Sequence, residues 1–261
     1  MTATTFPGQS AYNRVPRVTP DFWLIKLMAV TMGETAADYL SVQLGLGLTT
    51  TSLLMAAVLI AALVWQFWQK RYVPAPYWLA VVLISIVGTL ITDNLVDNFG
   101  VPLIVTTITF SILLAITFVV WWRIEGTLSI HTVITTRREA FYWLAILFTF
   151  ALGTAAGDLV AEQFSLGYLA TGILFGMIIA SLAIGYFFLK LDPILGFWLV
   201  YILTRPLGAS FGDLLSQPRQ YGGLGLGTIV TSAMFLLIIV CTVVYMSIRN
   251  RDGEEVLEAA R

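Results

Sequence analysis

Histidine and cysteine occur once each in this 261-residue chain, and the four charged residue types together make up only 11% of it. Cys241 stands inside a long apolar run, so an intrachain disulfide and cysteine-based metal sites are both excluded. His131, in a basic stretch, reads as a solvated loop residue. Haem ligation and histidine-rich zinc sites therefore have no support. What replaces charge is apolar surface: 58% of the residues are hydrophobic, where a soluble domain averages roughly 45–50% apolar and about 25% charged. A surplus on that scale needs lipid as its solvent.

A bilayer core about 30 Å thick takes roughly 20 apolar helical residues to cross. Measured so, the chain offers spans over 22–41, 47–69, 76–95, 101–123, 140–161, 167–189, 194–213 and 225–248. The expected organisation is an N-terminal segment 1–21, a single membrane domain 22–248 and a charged tail 249–261. The first 21 residues contain Pro7, Arg14, Pro16, Arg17 and Pro20 and no apolar run, so no cleavable signal sequence is evident. Arg14, Arg17, Lys70, Arg71, Arg123, Arg137, Arg138, Lys190, Arg249 and Arg251 all fall on the side shared by both termini, and the opposite loops carry only Arg219. The positive-inside rule then makes both termini cytoplasmic, in a bacterial inner membrane.

An internal repeat organises the spans. Each odd-numbered span begins near an aromatic–tryptophan pair: Phe22-Trp23, Tyr77-Trp78, Tyr142-Trp143 and Phe197-Trp198. Ten residues after each tryptophan stands a glycine (Gly33, Gly88, Gly153, Gly208), and five further on an aspartate (Asp38, Asp93, Asp158, Asp213). The aspartates are 55, 65 and 55 residues apart, which divides the chain into two tandem halves of two units each. The second span of each unit also opens alike, at Leu44-Gly45, Phe99-Gly100, Leu166-Gly167 and Leu224-Gly225. Hydroxyl residues follow at Thr51-Ser52, Thr106-Thr107, Thr171 and Thr231-Ser232, the third copy slightly out of step.

From Phe22 to Ile248 the chain resembles a bacterial family of uncharacterised membrane proteins made of four tandem two-helix repeats, each with a tryptophan. The resemblance implies the architecture and no activity. The fold expected is an all-α integral membrane protein of eight transmembrane helices. Its four parallel repeats (about 22–69, 76–123, 140–189 and 194–248) surround an axis along the membrane normal, since a two-helix unit returns each copy to the same orientation. The tryptophans then lie at the cytoplasmic interface as anchors and packing residues, and the glycines permit close helix approach.

Fifteen residues separate each tryptophan from its aspartate, roughly 22 Å along a helix. The aspartates therefore form one layer in the outer part of the membrane, where each ionised carboxylate costs a few kcal/mol. Glu34 joins them from one turn before Asp38, and its counterparts are Thr89, Thr154 and Ala209. Arg205 replaces Val30, Ser85 and Phe150 of the other copies, and Pro206 beside it should kink or open the helix. With one deep cation against five carboxylates, the acids must be protonated, hydrated or neutralised by a bound cation. The expected layer is lopsided, with Glu34 and Arg205 at opposite ends of it.

These residues predict a transporter or channel-like protein for a small hard cation. A divalent ion such as Mn²⁺ suits oxygen-only ligands, and protons are the candidate counter-substrate. Glu34, Asp38, Asp93, Asp158 and Asp213 are the expected metal ligands or proton carriers, and Arg205 the charge gate. No resident cofactor, no nucleic-acid partner and no enzymatic activity are expected; the metal would be substrate, and lipid the solvent. The alternative is a membrane scaffold or lipid-interacting protein whose aspartates cap helices and form ion pairs. A minor alternative is an intramembrane aspartyl hydrolase. Gly157-Asp158 and Gly212-Asp213 lack the glycine expected two residues earlier, where Ala155 and Ser210 stand. Lys26 and Lys190 lie toward the cytoplasmic ends and are expected to snorkel, and the glycine-rich segments near residues 44–48 and 224–227 lack a P-loop's lysine.

Overall fold

The computed structural model describes residues 13–259, with side chains through Ile248. Eight long helices carry the chain: α1 (Pro20–Asp38), α2 (Leu48–Trp68), α3 (Pro74–Asp93), α4 (Leu103–Glu125), α5 (Thr136–Asp158), α6 (Tyr168–Phe188), α7 (Pro193–Ser216) and α8 (Thr228–Ala259). Local chemistry sets their starts. Thr19 and Thr135 cap α1 and α5 through the backbone N–H groups of Phe22 and Arg138, and Asp192 accepts from Ile194 and Leu195 at the start of α7. Proline opens α1, α3 and α7, where its missing donor costs nothing. A left-handed Gly126 stops α4.

Seven of the eight helices are long and apolar enough to cross a membrane. The exception is α1, which carries Asp21, Lys26, Glu34 and Asp38 within 19 residues. The chain is an all-α membrane protein, and its helices form two concentric sets. The odd-numbered helices close a ring, α1 on α3, α3 on α5, α5 on α7 and α7 back on α1. Each even-numbered helix then packs on the first helix of the next unit: α2 on α3, α4 on α5, α6 on α7, and α8 on α1. The outer helices have only 17–22% of their apolar windows buried, against 50–72% for α3, α5 and α7. Residues such as Leu53, Ile112, Ile173 and Leu237 on the outer helices are therefore left for lipid.

The repeated glycines are the notches of the ring. A Cβ on Gly33 would stand 1.9 Å from Ser85 Oγ, one on Gly88 2.8 Å from Phe150 Cβ, one on Gly153 2.1 Å from Arg205 Cγ, and one on Gly208 2.5 Å from Val30 Cγ1. Ser85, Phe150, Arg205 and Val30 occupy one repeat position, seven residues after the tryptophan. Each ring helix thus receives that residue of the next, and the fourth seam closes on the first.

The end of the bundle that carries the basic loops is filled with aromatic rings. Phe22, Tyr77, Tyr142 and Tyr201 are fully buried, and the Tyr77 and Tyr142 hydroxyls share a 2.6 Å hydrogen bond. Trp78, Trp143 and Trp198 are buried too, and their indole N–H groups donate to Tyr72 Oη, Glu139 Oε1 and the Leu128 carbonyl. They pack inside the bundle more than they anchor its rim. Residues 13–16 lie across this end: Arg14 N–H bonds the Val133 carbonyl, Asn13 bonds the Ile130 carbonyl, and Val15 is buried. Glu139, wholly buried, takes the Arg14 guanidinium at 2.6 Å and the Gln66 amide at 2.9 Å. His131 is exposed in a short turn, as expected for a loop residue; partial burial and Arg17 hold its imidazole below the usual range. Residues 1–12 of the expected N-terminal segment lie outside the described residues. Past Ile248, α8 continues to Ala259, through the residues expected as a charged tail.

Candidate functional site: a carboxylate-lined cavity above a buried arginine

At the end opposite the basic loops, the first three ring helices widen in the same way. Each α-helix ends on its aspartate and passes into a five-residue π turn: Tyr39–Gln43, Asn94–Asn98 and Leu159–Gln163. The N–H groups of Leu44, Phe99 and Phe164 reach back five residues to the carbonyls of Tyr39, Asn94 and Leu159 at 2.9–3.1 Å. None of these three aspartates caps the π turn that follows it. The fourth unit differs: α7 runs unbroken through Pro206 and past Asp213 to Ser216.

The wider turns surround a cavity of about 190 Å³. Glu34, Asp38, Asp93, Asp158 and Asp213, the five acids expected from the sequence, all line it. Two further carboxylates, Asp97 and Glu162, do as well. Their signal was present in the spacing, since each stands four residues after a repeat aspartate, as Asp38 does after Glu34. Val42 and Gln217 hold the matching positions of units one and four and line the same cavity. The site is a stack of four-membered rings: Glu34 with Thr89, Thr154 and Ala209 deepest, the aspartates above, and Val42, Asp97, Glu162 and Gln217 at the rim.

Among the described residues Asp93, Asp158 and Asp213 accept no hydrogen bond, and Asp38 takes one, from the Gln217 amide at 3.3 Å. Three of the four aspartates thus present free oxygens to the cavity. No group of three acidic, histidine or cysteine side chains among the described residues is arranged to hold a metal ion. The carboxylates share a cavity without forming a coordination sphere.

The floor is Arg205. From α7 it crosses to three other ring helices, where its guanidinium meets Glu34 Oε2 at 2.8 Å, Thr154 Oγ1 at 2.8 Å, the Val30 carbonyl at 3.2 Å, and the Thr89 hydroxyl. Thr89 donates in turn to Glu34 Oε2 at 3.2 Å. Three of the four residues of the deepest ring are therefore joined by one side chain. The expectation that Glu34 and Arg205 mark opposite ends of the layer is corrected: α7 and α1 are neighbours once the ring closes, and the two residues are paired. The buried pair loses hydration on both sides, and hydroxyls and a carbonyl supply part of what water gave.

Lys26 is the residue that sequence reasoning misplaced. It does not snorkel; it is fully buried, donating to the Tyr201 carbonyl at 2.7 Å and to the Thr204 hydroxyl, with its ammonium 4.1 Å from the Tyr201 ring centre. Its place six residues, under two turns, from the start of α1 suggested an escape to the interface, but the buried aromatic residues at this end cover that route. Lys190, by contrast, is exposed.

Comparison with known proteins agrees with this fourfold construction. The pattern described as Repeat of Unknown Function (DUF347) matches four times, over residues 22–72, 76–127, 141–191 and 196–252. No curated protein and no solved structure matches the chain. With four consecutive copies filling most of its length, the chain belongs to the family defined by that repeat.

Proposed function

We propose that this protein carries a small hard cation across the membrane, with the carboxylate cavity as its outward-facing site and the Arg205–Glu34 pair as its gate. The observation that supports this reading is the meeting of seven carboxylates in one cavity whose floor is a buried guanidinium. So many acids around so small a volume favour the entry of protons or cations, which relieve their mutual repulsion. A cation or proton reaching Glu34 competes with Arg205, and that competition is the means of coupling occupancy to a change of shape. Protons are the natural counter-substrate, because the same oxygens hold either. A divalent ion such as Mn²⁺ would enter hydrated, or draw the carboxylates together, since the described residues hold no ready-made cluster. The basic end faces the cytoplasm of a bacterial inner membrane in this reading, and no covalent chemistry is assigned to the site.

Purified protein in proteoliposomes, screened for metal-ion and proton flux, tests the proposal. Asp93→Asn and Asp213→Asn are expected to lower the flux at least about tenfold, the scale set by losing an interaction of roughly 1.4 kcal/mol. Unchanged flux in well-folded variants would remove the aspartates from the mechanism. The scaffold alternative draws no support from the aspartates at the π turns, which make no capping bonds there.

A further inference from the structure

The basic end of the bundle holds a second arginine–glutamate pair. As Arg205 closes on Glu34 at 2.8 Å, so Arg14 closes on Glu139 at 2.6 Å. Glu139 is wholly buried in the first turn of α5. It stands four residues before Trp143, where the other units have Thr19, Pro74 and Ile194, so it is as particular to unit three as Glu34 is to unit one. Gln66 of α2 donates to it at 2.9 Å and the Trp143 indole at 3.4 Å. The nearby Arg137 and Arg138 turn instead to Glu125, at 2.5 and 2.7 Å.

The two arginines are held differently. Arg205 is rooted in a ring helix, whereas Arg14 rides on residues 13–16, an irregular strap ahead of the first repeat. Apart from the Arg14 side chain and the buried Val15 and Pro16, three hydrogen bonds fasten this strap to the α2–α3 and α4–α5 connections. Tyr72 N–H bonds the Asn13 carbonyl, Arg14 N–H the Val133 carbonyl, and the Asn13 amide the Ile130 carbonyl. A strap with so few ties can lift without unfolding the helices. Beneath it lies an unfinished set of oxygens. Gln66 is fully buried, and its Oε1 has no hydrogen-bond partner although its Nε2 is beside Glu139. With the guanidinium withdrawn, two carboxylate oxygens remain, and the Gln66 amide turned over adds a third. Carboxylate and amide oxygens are the ligands of hard cations.

We propose that Glu139 is a second site for a small hard cation, masked by Arg14, and that lifting the 13–16 strap exposes it at the basic end. The guanidinium stands in for the cation. Its role in transport rests on the cation-carrying reading of the carboxylate cavity, in which the two arginine–glutamate pairs gate opposite ends of one bundle; the masked site itself does not.

Carbodiimide coupling of Glu139 to glycine ethyl ester, read by mass spectrometry on the full-length protein in nanodiscs, tests the masking. Arg14→Gln is expected to speed the coupling at least about tenfold, and Arg14→Lys to leave it near wild type. Millimolar Mn²⁺ should slow the coupling severalfold in Arg14→Gln. An Arg14→Gln variant with wild-type elution and melting that couples no faster than wild type would overturn the site, as would coupling in that variant that Mn²⁺ leaves unchanged. Where Arg14→Gln does not fold, Asn13→Cys/Ile130→Cys in a Cys241→Ser background keeps Arg14 and fastens the strap through a reducible thiosulfonate cross-link. Glu139 should then couple more slowly linked than reduced, and equal rates overturn the site. In proteoliposomes the same cross-link should lower cation flux at least about tenfold and release it on reduction; full flux through the linked protein overturns the gate. Unchanged flux in Asp93→Asn with Glu139 still masked fails the transport reading alone.

Discussion

Arg205 stands at one of four equivalent helix positions, yet it alone ties four helices together. Replacing it with Gln strands Glu34 in a buried site, and such losses cost about 3–5 kcal/mol. The double variant Arg205→Gln/Glu34→Gln removes the stranded charge and should recover part of that loss, measured as a denaturation cycle in detergent. The glycine notches are equally specific. Gly33→Ala sets a methyl against Ser85 with no room for it, and overpacking of this kind costs about 1–3 kcal/mol. The melting temperature of Gly33→Ala should fall, and pairing it with Ser85→Gly should restore some of it. The glycines, the aspartates and the odd character of Arg205 were legible because they keep or break one spacing. Lys26 was not, because its fate depends on Phe150 of α5 and Tyr201 of α7, which are far away in sequence.

At the scale of elements, helix extents were largely legible, while the transitions between them were not. A π turn carries no composition of its own, and no place in Tyr39–Gln43, Asn94–Asn98 and Leu159–Gln163 keeps one residue type in all three. The third unit's apparent slip has a definite cause. Unit one contains Leu-Gly twice in succession, at residues 44–47, and Leu166-Gly167 matches the second pair, not the first. Gly47, Gly167 and Gly227 all have φ of 74–79° and stand four residues before Thr51, Thr171 and Thr231, so the hydroxyls are in register. Ser165 accordingly takes the place of Gly45 and adopts φ 56° without being glycine. Ser165→Gly should therefore stabilise the fold by up to about 1 kcal/mol, and Gly45→Ala should destabilise it by a similar amount. Thermal unfolding of the two variants side by side checks both signs.

At the scale of the molecule, no unit is self-contained, because every outer helix leaves its own unit to cover the next. The bundle closes only when α8 reaches α1, burying Phe235 and Ile239 and joining Thr35 to Ser232 through a 2.7 Å hydrogen bond. A chain ending at Gly227 should therefore lose its folded monomer, seen as aggregation on size exclusion and rapid proteolysis, even though the whole ring sequence is present. Supplying α8 as a separate peptide should rescue part of it.

The same side chain that seals the floor of the cavity also fills a joint between helices. The stem of Arg205 occupies the notch at Gly153 on α5, and its head holds Glu34 on α1, the neighbour on the other side. The packing of the α5–α7 seam and the floor of the cavity therefore depend on one residue.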